Sequence, residues 1–162
     1  MSIDIMATAP QEVLDLLRAA GWSPTREVDI APYIPLLEEE GSTVSDAAKA
    51  FLQRYVDLRI PIPREISLPE GRTMQRTETL MFDVMFFNGS LGPEVIAMKE
   101  QRLHTPLCQI GFWDGHQTWL FMAPSGDVYG VWGDSIIHCG SSGDEAVINM
   151  ISGKNIKQLP PG

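Results

Sequence analysis

The 162-residue sequence predicts an α+β fold: a single domain whose antiparallel sheet is flanked by N-terminal helices and a C-terminal helix. Three observations support this prediction. Apolar residues repeat at helical spacing up to about residue 55, strand and turn patterns follow, and the composition never changes to that of a linker. A chain of this length buries a core of its own. We expect that core within about 8–153 and a loose tail at 154–162.

The first helix is predicted at 9–20, where apolar residues recur every three to four positions. Thr8 and Gln11 have the spacing of a capping box at its start. Gly21 follows as the C-terminal stop, because glycine readily adopts the left-handed backbone conformation that ends many helices. These signals predict a helix of about three turns.

Two further helices are predicted before residue 56. The second starts after Asp29 as its N-cap and ends at Gly41, and Pro35 is expected to bend or shorten it. The third follows Ser45 as its N-cap and carries an apolar stripe at helical spacing. That stripe consists of Ala47, Ala48, Phe51, Leu52 and Tyr55.

The middle of the chain changes to extended segments around one helix. Strands are predicted at 58–62, 77–82 and 107–110, and a helix is predicted at 93–102. Pro61 lies in the first of these strands and cannot donate a ladder hydrogen bond. This strand is therefore expected at an edge of the sheet.

The strongest strand signals form a C-terminal meander. The residues 124–126 read Pro-Ser-Gly, a hairpin turn between two apolar segments, and a second turn follows at 133–134. The three strands are predicted at 118–123, 127–132 and 135–139. After them, Ser142 and Glu145 have capping-box spacing and predict a last helix that ends at Gly153.

The net charge of −9 and its distribution exclude one class of partner. Nucleic-acid binding is driven by Lys and Arg side chains that neutralise phosphates, so we expect no nucleic-acid partner. Between Arg102 and Lys154 the chain contains no Lys or Arg, and a second acidic cluster lies at 38–40. These acids serve either solubility alone or the electrostatic steering of a basic protein.

No targeting or membrane segment is recognisable. The N-terminal residues lack the basic and apolar regions of a signal peptide, and no apolar stretch approaches the ~18 residues of a membrane helix. Two cysteines do not make a disulfide framework in a chain of this size. We therefore expect a cytoplasmic protein without a membrane partner.

No catalytic or metal-binding motif is recognisable either. His104, His116, His138, Cys108 and Cys139 lack the spacing of metal ligands, and the adjacent His and Cys point to opposite faces of one strand. The sequence contains no G-x-S-x-G motif and no phosphate-binding glycine loop. A converging pair of catalytic carboxylates stays open on the sequence alone. We expect no cofactor, no metal and two buried thiols.

Aromatic and acidic residues in the C-terminal half favour a protein-binding surface. Most of these aromatics are expected in the sheet core, but Trp113 precedes an apparent loop and is expected to be exposed, ringed by acids without basic residues. The acidic cluster at 38–40 is the alternative patch. The candidate partner-binding residues are Trp113, Asp114, His116, Trp132, Asp134, Glu38, Glu39 and Glu40.

Several short motifs occur in a fixed order along the chain. The segment 21–30 reads GWSPTREVDI, and 106–111, 125–129 and 144–146 read PLCQIG, SGDVY and DEA. The positions between them that belong to the same pattern are Tyr33, Leu37, Glu40, Gly41, Ala47, Ala48, Phe51 and Leu52. This ordered set resembles the third family of the SUKH superfamily, a family of bacterial toxin-immunity proteins, over nearly the whole chain.

The resemblance implies an α+β immunity protein that binds and neutralises a cognate polymorphic toxin, often a nuclease or deaminase, without catalysis. A toxin that acts on nucleic acid is expected to have a basic active cleft. Two other functions stay open: a regulatory adaptor that binds a cellular protein, and a small hydrolase or metal enzyme. The GWSPTREVDI segment is expected to be structural. In it, Trp22 fills the gap between the first and third helices, and Arg26 reaches the acids of the second.

Overall fold

A computed structural model describes residues 5–84 and 92–161 and contains a seven-stranded antiparallel sheet whose strand order is the chain order. The strands are β1 (Arg59–Ser67), β2 (Thr73–Met81), β3 (Cys108–Trp113), β4 (Thr118–Met122), β5 (Val128–Trp132), β6 (Ser135–Gly140) and β7 (Lys157–Gln158). The helices are α1 (Gln11–Ala19), α2 (Ile34–Glu39), α3 (Asp46–Tyr55), α4 (Pro93–Leu103) and α5 (Gly143–Ser152). The predicted α+β class, with a C-terminal meander and a C-terminal helix, is confirmed.

The sheet buries apolar side chains on both of its faces. The first face packs against α1, α2, α3 and α5, and its core includes Leu17, Leu52 and Val128. The second face packs against α4, where Ile96 contributes to a core that includes Phe121 and Val131 of the sheet. Because side chains alternate along a strand, β5 contributes to both cores. Both faces of the meander are therefore at least partly covered by other described residues of the chain.

The first helix starts later than the sequence predicts. Its N-cap is Pro10, without a side-chain cap, and Thr8 belongs instead to a preceding 3-10 turn at Ile5–Thr8. The predicted capping box is therefore wrong, because that turn ends before the helix begins. The predicted stop is confirmed: Gly21 has φ of 107° directly after the C-cap.

The second helix is shorter than predicted. It begins at Ile34, so Pro35 lies in its first turn, where its missing N–H leaves no hydrogen bond unmade. Asp29 is not its N-cap, because the Oδ1 atom of Asp29 accepts from the N–H of Ala31 in a local turn.

The connection between α1 and α2 is fastened to the C-terminal end of α3. The Arg26 guanidinium donates to the carbonyl oxygens of Arg54 and Val56, both at 2.7 Å. The N–H of Val28 donates to the carbonyl of Gln53 at 2.8 Å. Trp22 is 3% exposed, with the guanidinium carbon of Arg54 5.7 Å from the centroid of its ring. The buried position expected for Trp22 is confirmed, but the expected contact of Arg26 with the acids of α2 is wrong.

Two predicted N-caps are confirmed by their hydrogen bonds. The Oγ of Ser45 accepts from the N–H of Ala48 at the start of α3. The Oγ of Ser142 accepts from the N–H of Glu145 at the start of α5, which ends at Gly153 with φ of 71°. Both caps are made within three residues, which is why the sequence alone predicts them.

The strands β1 and β2 form a ribbon longer than the sequence predicts. They pair from Arg59↔Met81 to Ser67↔Thr73 without a register shift. The predicted edge position of β1 is confirmed by the strand order. Arg64 fixes this ribbon to the domain: its Nε donates to Glu78 at 2.9 Å, and its two Nη atoms donate to the last carbonyls of α5 at 2.7 Å.

The C-terminal residues do not form the expected loose tail. The strand β7 pairs with β6 through Ile137↔Gln158, and the N–H of Leu159 donates to the carbonyl of Ile136 at 2.9 Å. Arg102 of α4 also donates to the carbonyl of Pro160 at 2.8 Å. This segment is held in place by residues that are distant in the chain. Its own polar composition therefore does not predict a strand.

Candidate functional site

The candidate residues of the C-terminal half meet at one end of the sheet. In an antiparallel meander alternate turns lie at the same end, so the β3–β4 turn at Asp114–His116 is a neighbour of the β5–β6 turn at Gly133 and Asp134. We call these two turns, together with Trp132 and Gln117, the loop end of the sheet. The side chain of His116 lies outside the described part of the structure.

The exposed aromatic of the loop end is Trp132. Its surface is 62% exposed, although β5 directs most of its other side chains into the two cores. Trp132, Asp114 and Gln117 together line two adjoining depressions with volumes of about 500 Å³ and about 430 Å³. The structure therefore brings Asp114 and Trp132 to one surface, as the sequence predicts.

The floor of the larger depression lacks a side chain at Gly130. A Cβ atom at this position would come within 2.5 Å of the Thr118 Cγ2 atom and 2.8 Å of the Ile137 Cγ1 atom. Glycine is thus required here because the side chains of Thr118 and Ile137 fill the space that a Cβ atom would occupy.

The expected exposure of Trp113 is wrong. Trp113 is 2% exposed and belongs to the core of the first face. Its register explains this position, because Trp113 pairs with Leu80 on one side and with Thr118 on the other. Trp113 is the last residue of β3, directly before the turn, and its side chain still points into the core.

Asp114 binds a backbone N–H of β2 through its side chain and also places a negative charge at the surface. Its Oδ1 atom accepts from the N–H of Thr79 at 2.5 Å, and its carbonyl accepts from the N–H of Gln117 at 3.1 Å. The residue as a whole is exposed. Replacing this side chain consequently affects the local backbone as well as the surface charge.

Basic residues from outside the acidic segment support both turns. At the β5–β6 turn, Arg102 donates to the carbonyl of Asp134 at 2.5 Å, and Lys99 donates to the carbonyl of Gly133 at 2.8 Å. At the β3–β4 turn, Arg76 donates to the carbonyl of Gly115 at 2.8 Å. The expected acidic ring without basic residues is therefore wrong. These cations bind backbone oxygens, and Asp134 remains exposed at the tip of its turn.

The alternative acidic patch lies at the other end of β3. Glu38 and Glu39 are exposed and Glu40 is half-buried at the C-terminal end of α2. The chain directly after them joins the start of β3, since the N–H of Thr43 donates to the carbonyl of Leu107 at 2.9 Å. The structure therefore does not bring this patch together with the loop end.

A polar cluster that the sequence analysis missed connects the β4–β5 hairpin to β6. The Asp127 carboxylate accepts from the Ser125 hydroxyl at 2.6 Å and lies 2.8 Å from the His138 Nε2 atom. Burial raises the pKa of Asp127, but the hydrogen bonds of Ser125 and His138 outweigh burial and lower it overall. The carboxylate lies between the serine and the histidine, so the imidazole cannot take the serine proton as a catalytic base does.

Neither a cluster of metal ligands nor an exposed thiol occurs among the described residues. Among residues 5–84 and 92–161, no three His, Cys, Asp or Glu side chains lie together as metal ligands would. Both predicted buried thiols are confirmed: Cys108 and Cys139 are inside the core, and burial raises the pKa of each to about 12. None of the described helices has the length and apolar character that crossing a bilayer demands.

The comparison with protein families places the chain in a class of immunity proteins. A family model described as SUKH-3 immunity protein matches residues 9–153. The chain therefore belongs to the SUKH-3 immunity protein family, as the resemblance of its motifs predicts. Membership implies a toxin-neutralising immunity function, and the family is generally non-catalytic. No curated protein and no solved structure matches the chain.

Proposed function

We propose that this protein binds a cognate bacterial polymorphic toxin, a nuclease or a deaminase, and neutralises it in the cytoplasm without catalysis. Family membership supports the immunity function. The observation that carries the proposed mode of binding is Trp132, which is 62% exposed at the loop end beside an open depression. A large aromatic in this position suits the centre of an interface, where few residues supply most of the binding energy.

Charge supports a partner of this class. The chain carries a net charge of −9, and a toxin that holds nucleic acid must present cations to phosphates. The exposed carboxylates of Asp114 and Asp134 can occupy such a cleft in place of phosphates. The supporting cations of α4 and β2 bind carbonyl oxygens and hold both turns in place, so the inhibitor presents a rigid surface and loses little entropy on binding.

The aromatic and the charges have separate tasks in this proposal. The Trp132 indole would be buried on binding and would slow dissociation, whereas the carboxylates would accelerate the encounter with a basic protein. Removal of the indole should therefore act on the dissociation rate. Reversal of a charge should act on the association rate and should matter less as salt is added.

We expect the cognate toxin to be encoded immediately upstream of this gene, and the test measures binding to its toxin domain. We expect Trp132→Ala to weaken affinity by about 2 kcal/mol or more, which is roughly thirtyfold, through faster dissociation. Asp134→Lys should slow association at low salt. Asp134 is the preferred charge because Asp114 also holds the backbone of Thr79.

Met98→Ala is the matched control. Met98 is also 62% exposed, but it belongs to α4 and lines neither depression of the loop end. Its truncation should leave binding and protection of toxin-expressing cells unchanged. If stably folded Trp132→Ala and Asp134→Lys proteins bind like the wild type at every ionic strength, the loop end is not the interface.

A further inference from the structure

The ribbon of β1 and β2 extends beyond the rest of the sheet. The strand β2 pairs with β1 over its whole length, Thr73–Met81, but it pairs with β3 only at Leu80 and Met81. The residues 73–77 of β2 are all exposed. Over this part of its length, β2 has a neighbouring strand on one side only within the described sheet.

Hydrogen bonds at the two ends of the ribbon show which residues bond across it. The N–H of Phe82 donates to the carbonyl of Leu58 at 2.9 Å, and the N–H of Leu68 donates to the carbonyl of Arg72 at 2.7 Å. Backbone groups alternate in direction along a strand, and the register between these ends is unbroken. Even-numbered residues of β2 therefore bond to β1, and odd-numbered residues direct their N–H and C=O groups away from it.

The contact of Thr79 confirms this direction. The N–H of Thr79 points away from β1 and donates to the Asp114 carboxylate, which ends the pairing with β3. Beyond that contact, Thr73, Gln75 and Thr77 direct their backbone groups to the open side of the ribbon. These three residues form what we call the open edge.

The two edges of the ribbon differ in the residues at their outward positions. The outward residues of β1 are also odd-numbered, and two of them are Pro61 and Pro63, which have no N–H. Prolines at outward positions protect an edge against pairing with another chain. The open edge of β2 carries no such protection, because each of its three residues retains its donor and its acceptor.

We propose that the open edge of β2 receives an extended strand of the toxin, which adds to the sheet beside Thr73, Gln75 and Thr77. This inference rests on the proposed function, because it takes the toxin as the occupant. One face of the edge displays Met74, which is 46% exposed, and Arg76; the other face is polar. The strand that fits has an apolar residue beside Met74 and an acidic residue beside Arg76.

Charge disfavours a second copy of this chain as the occupant. Two chains that each carry a net charge of −9 repel one another. An antiparallel pair of β2 strands centred on Gln75 would also make the two copies of Arg76 diagonal neighbours on one face. A toxin strand avoids both costs. It would lie next to the loop end, since Asp114 of the loop end accepts from the N–H of Thr79, two residues beyond the open edge.

Gln75→Pro tests the strand directly, with Glu65→Pro as its matched control. Gln75 and Glu65 are opposite each other in the register, and each directs its N–H outward, so neither proline removes a bond within the ribbon. We expect Gln75→Pro to weaken toxin affinity at least tenfold and Glu65→Pro to leave it unchanged. If both folded variants bind the upstream-encoded toxin domain like the wild type, the strand proposal is overturned.

Amide exchange of the wild-type protein supplies a second measurement that needs no variant. In the free protein the amides of Gln75 and Thr77 should exchange quickly and those of Met74 and Arg76 slowly. Addition of the toxin domain should protect Gln75 and Thr77, and unchanged exchange in a formed complex would overturn the proposal. A wild-type dimer that Gln75→Pro dissociates would overturn it in favour of a second copy. A wild type that binds no toxin at all overturns the proposed function too.

Discussion

Arg26 shows how a motif residue can be recognised from sequence while its partner is not. Its guanidinium binds two carbonyls at the end of α3, where a cation also interacts favourably with the helix dipole. Desolvation by burial lowers the pKa of Arg26, and the nearby Asp57 carboxylate opposes that shift. The sequence places Arg26 near acids of α2, yet backbone carbonyls do not differ from residue to residue. No sequence pattern could therefore identify them as the partner.

Trp22 offers a quantitative test of the same connection. Its side chain is 3% exposed, and its Nε1 atom has no hydrogen-bond partner among the described residues. We expect Trp22→Ala to lower the free energy of unfolding by about 3–5 kcal/mol, because the lost ring leaves a cavity. Trp22→Phe should cost less, since it keeps an aromatic ring and removes no hydrogen bond.

Urea unfolding of the three proteins, followed by circular dichroism, measures these differences. Toxin binding by the folded fraction should be the same in all three, because Trp22 lies in the core and not at the loop end. An equal midpoint for Trp22→Ala and the wild type would show that the side chain does not fill the space between α1 and α3.

The exposure of Trp132 and Trp113 shows what residue patterns can and cannot predict. Alternation along β5 places Trp132 on the face of Val128 and Gly130, but it does not tell where the covering helices end. The position of Trp113 before a turn predicts exposure, but the residue is buried because β2 and β4 pair beside it. Exposure at a strand end depends on neighbours that are far away in the chain.

Elements with local signals are predicted best in this protein. The caps of α3 and α5 need only residues three apart, and the β4–β5 hairpin needs only a turn. The start of α2 is predicted too early because Asp29 makes a local turn instead of a cap. The strand β7 is missed because its stability comes from pairing with β6, which precedes α5.

The contribution of Asp127, in the β4–β5 hairpin, to the stability of the protein is expected to be lost in acid. Burial raises the pKa of Asp127, but the hydrogen bonds of Ser125 and His138 and the charge of His138 together outweigh it, so the folded state lowers this pKa. A carboxyl group with a lowered pKa contributes stability above its unfolded value, about 3.8. This contribution is therefore complete at neutral pH and is lost as the pH falls below about 4 towards the folded pKa.

The comparison of Asp127→Asn with the wild type measures that contribution. At pH 7 the variant should unfold at a lower urea concentration, and the difference should shrink as the pH approaches 3. Asp134→Asn is the control, because it removes an exposed carboxylate that is not part of this cluster. A difference that stays constant from pH 7 to pH 3 would contradict a role of the charged carboxylate.

At the scale of the whole molecule, the sequence predicts the class of the fold and its meander but not the extent of the sheet. Seven strands in chain order place the turns at 114–116 and 133–134 at one end and the acids at 38–40 at the other. Lys99 and Arg102 reach the acidic segment from α4, which precedes it in the chain. A linear charge pattern omits such cations, because it contains no information on which helix covers which turn.

The two thiols test whether the sheet opens as one unit. Cys108 in β3 and Cys139 in β6 are both fully buried in the core of the first face. Burial raises the pKa of each from 9.0 to about 12, so the reactive thiolate is roughly a thousandfold scarcer than in an exposed cysteine. Alkylation of the native protein therefore has to proceed through molecules in which the core around the thiol is open. If residues 8–153 behave as a single domain, both thiols should react with iodoacetamide at the same rate and with the same dependence on urea.

Mass spectrometry of the two cysteine peptides follows each site separately. Labelling of Cys139 well before Cys108 without denaturant would show that the C-terminal strands open independently of β3, and the single cooperative domain would then be wrong.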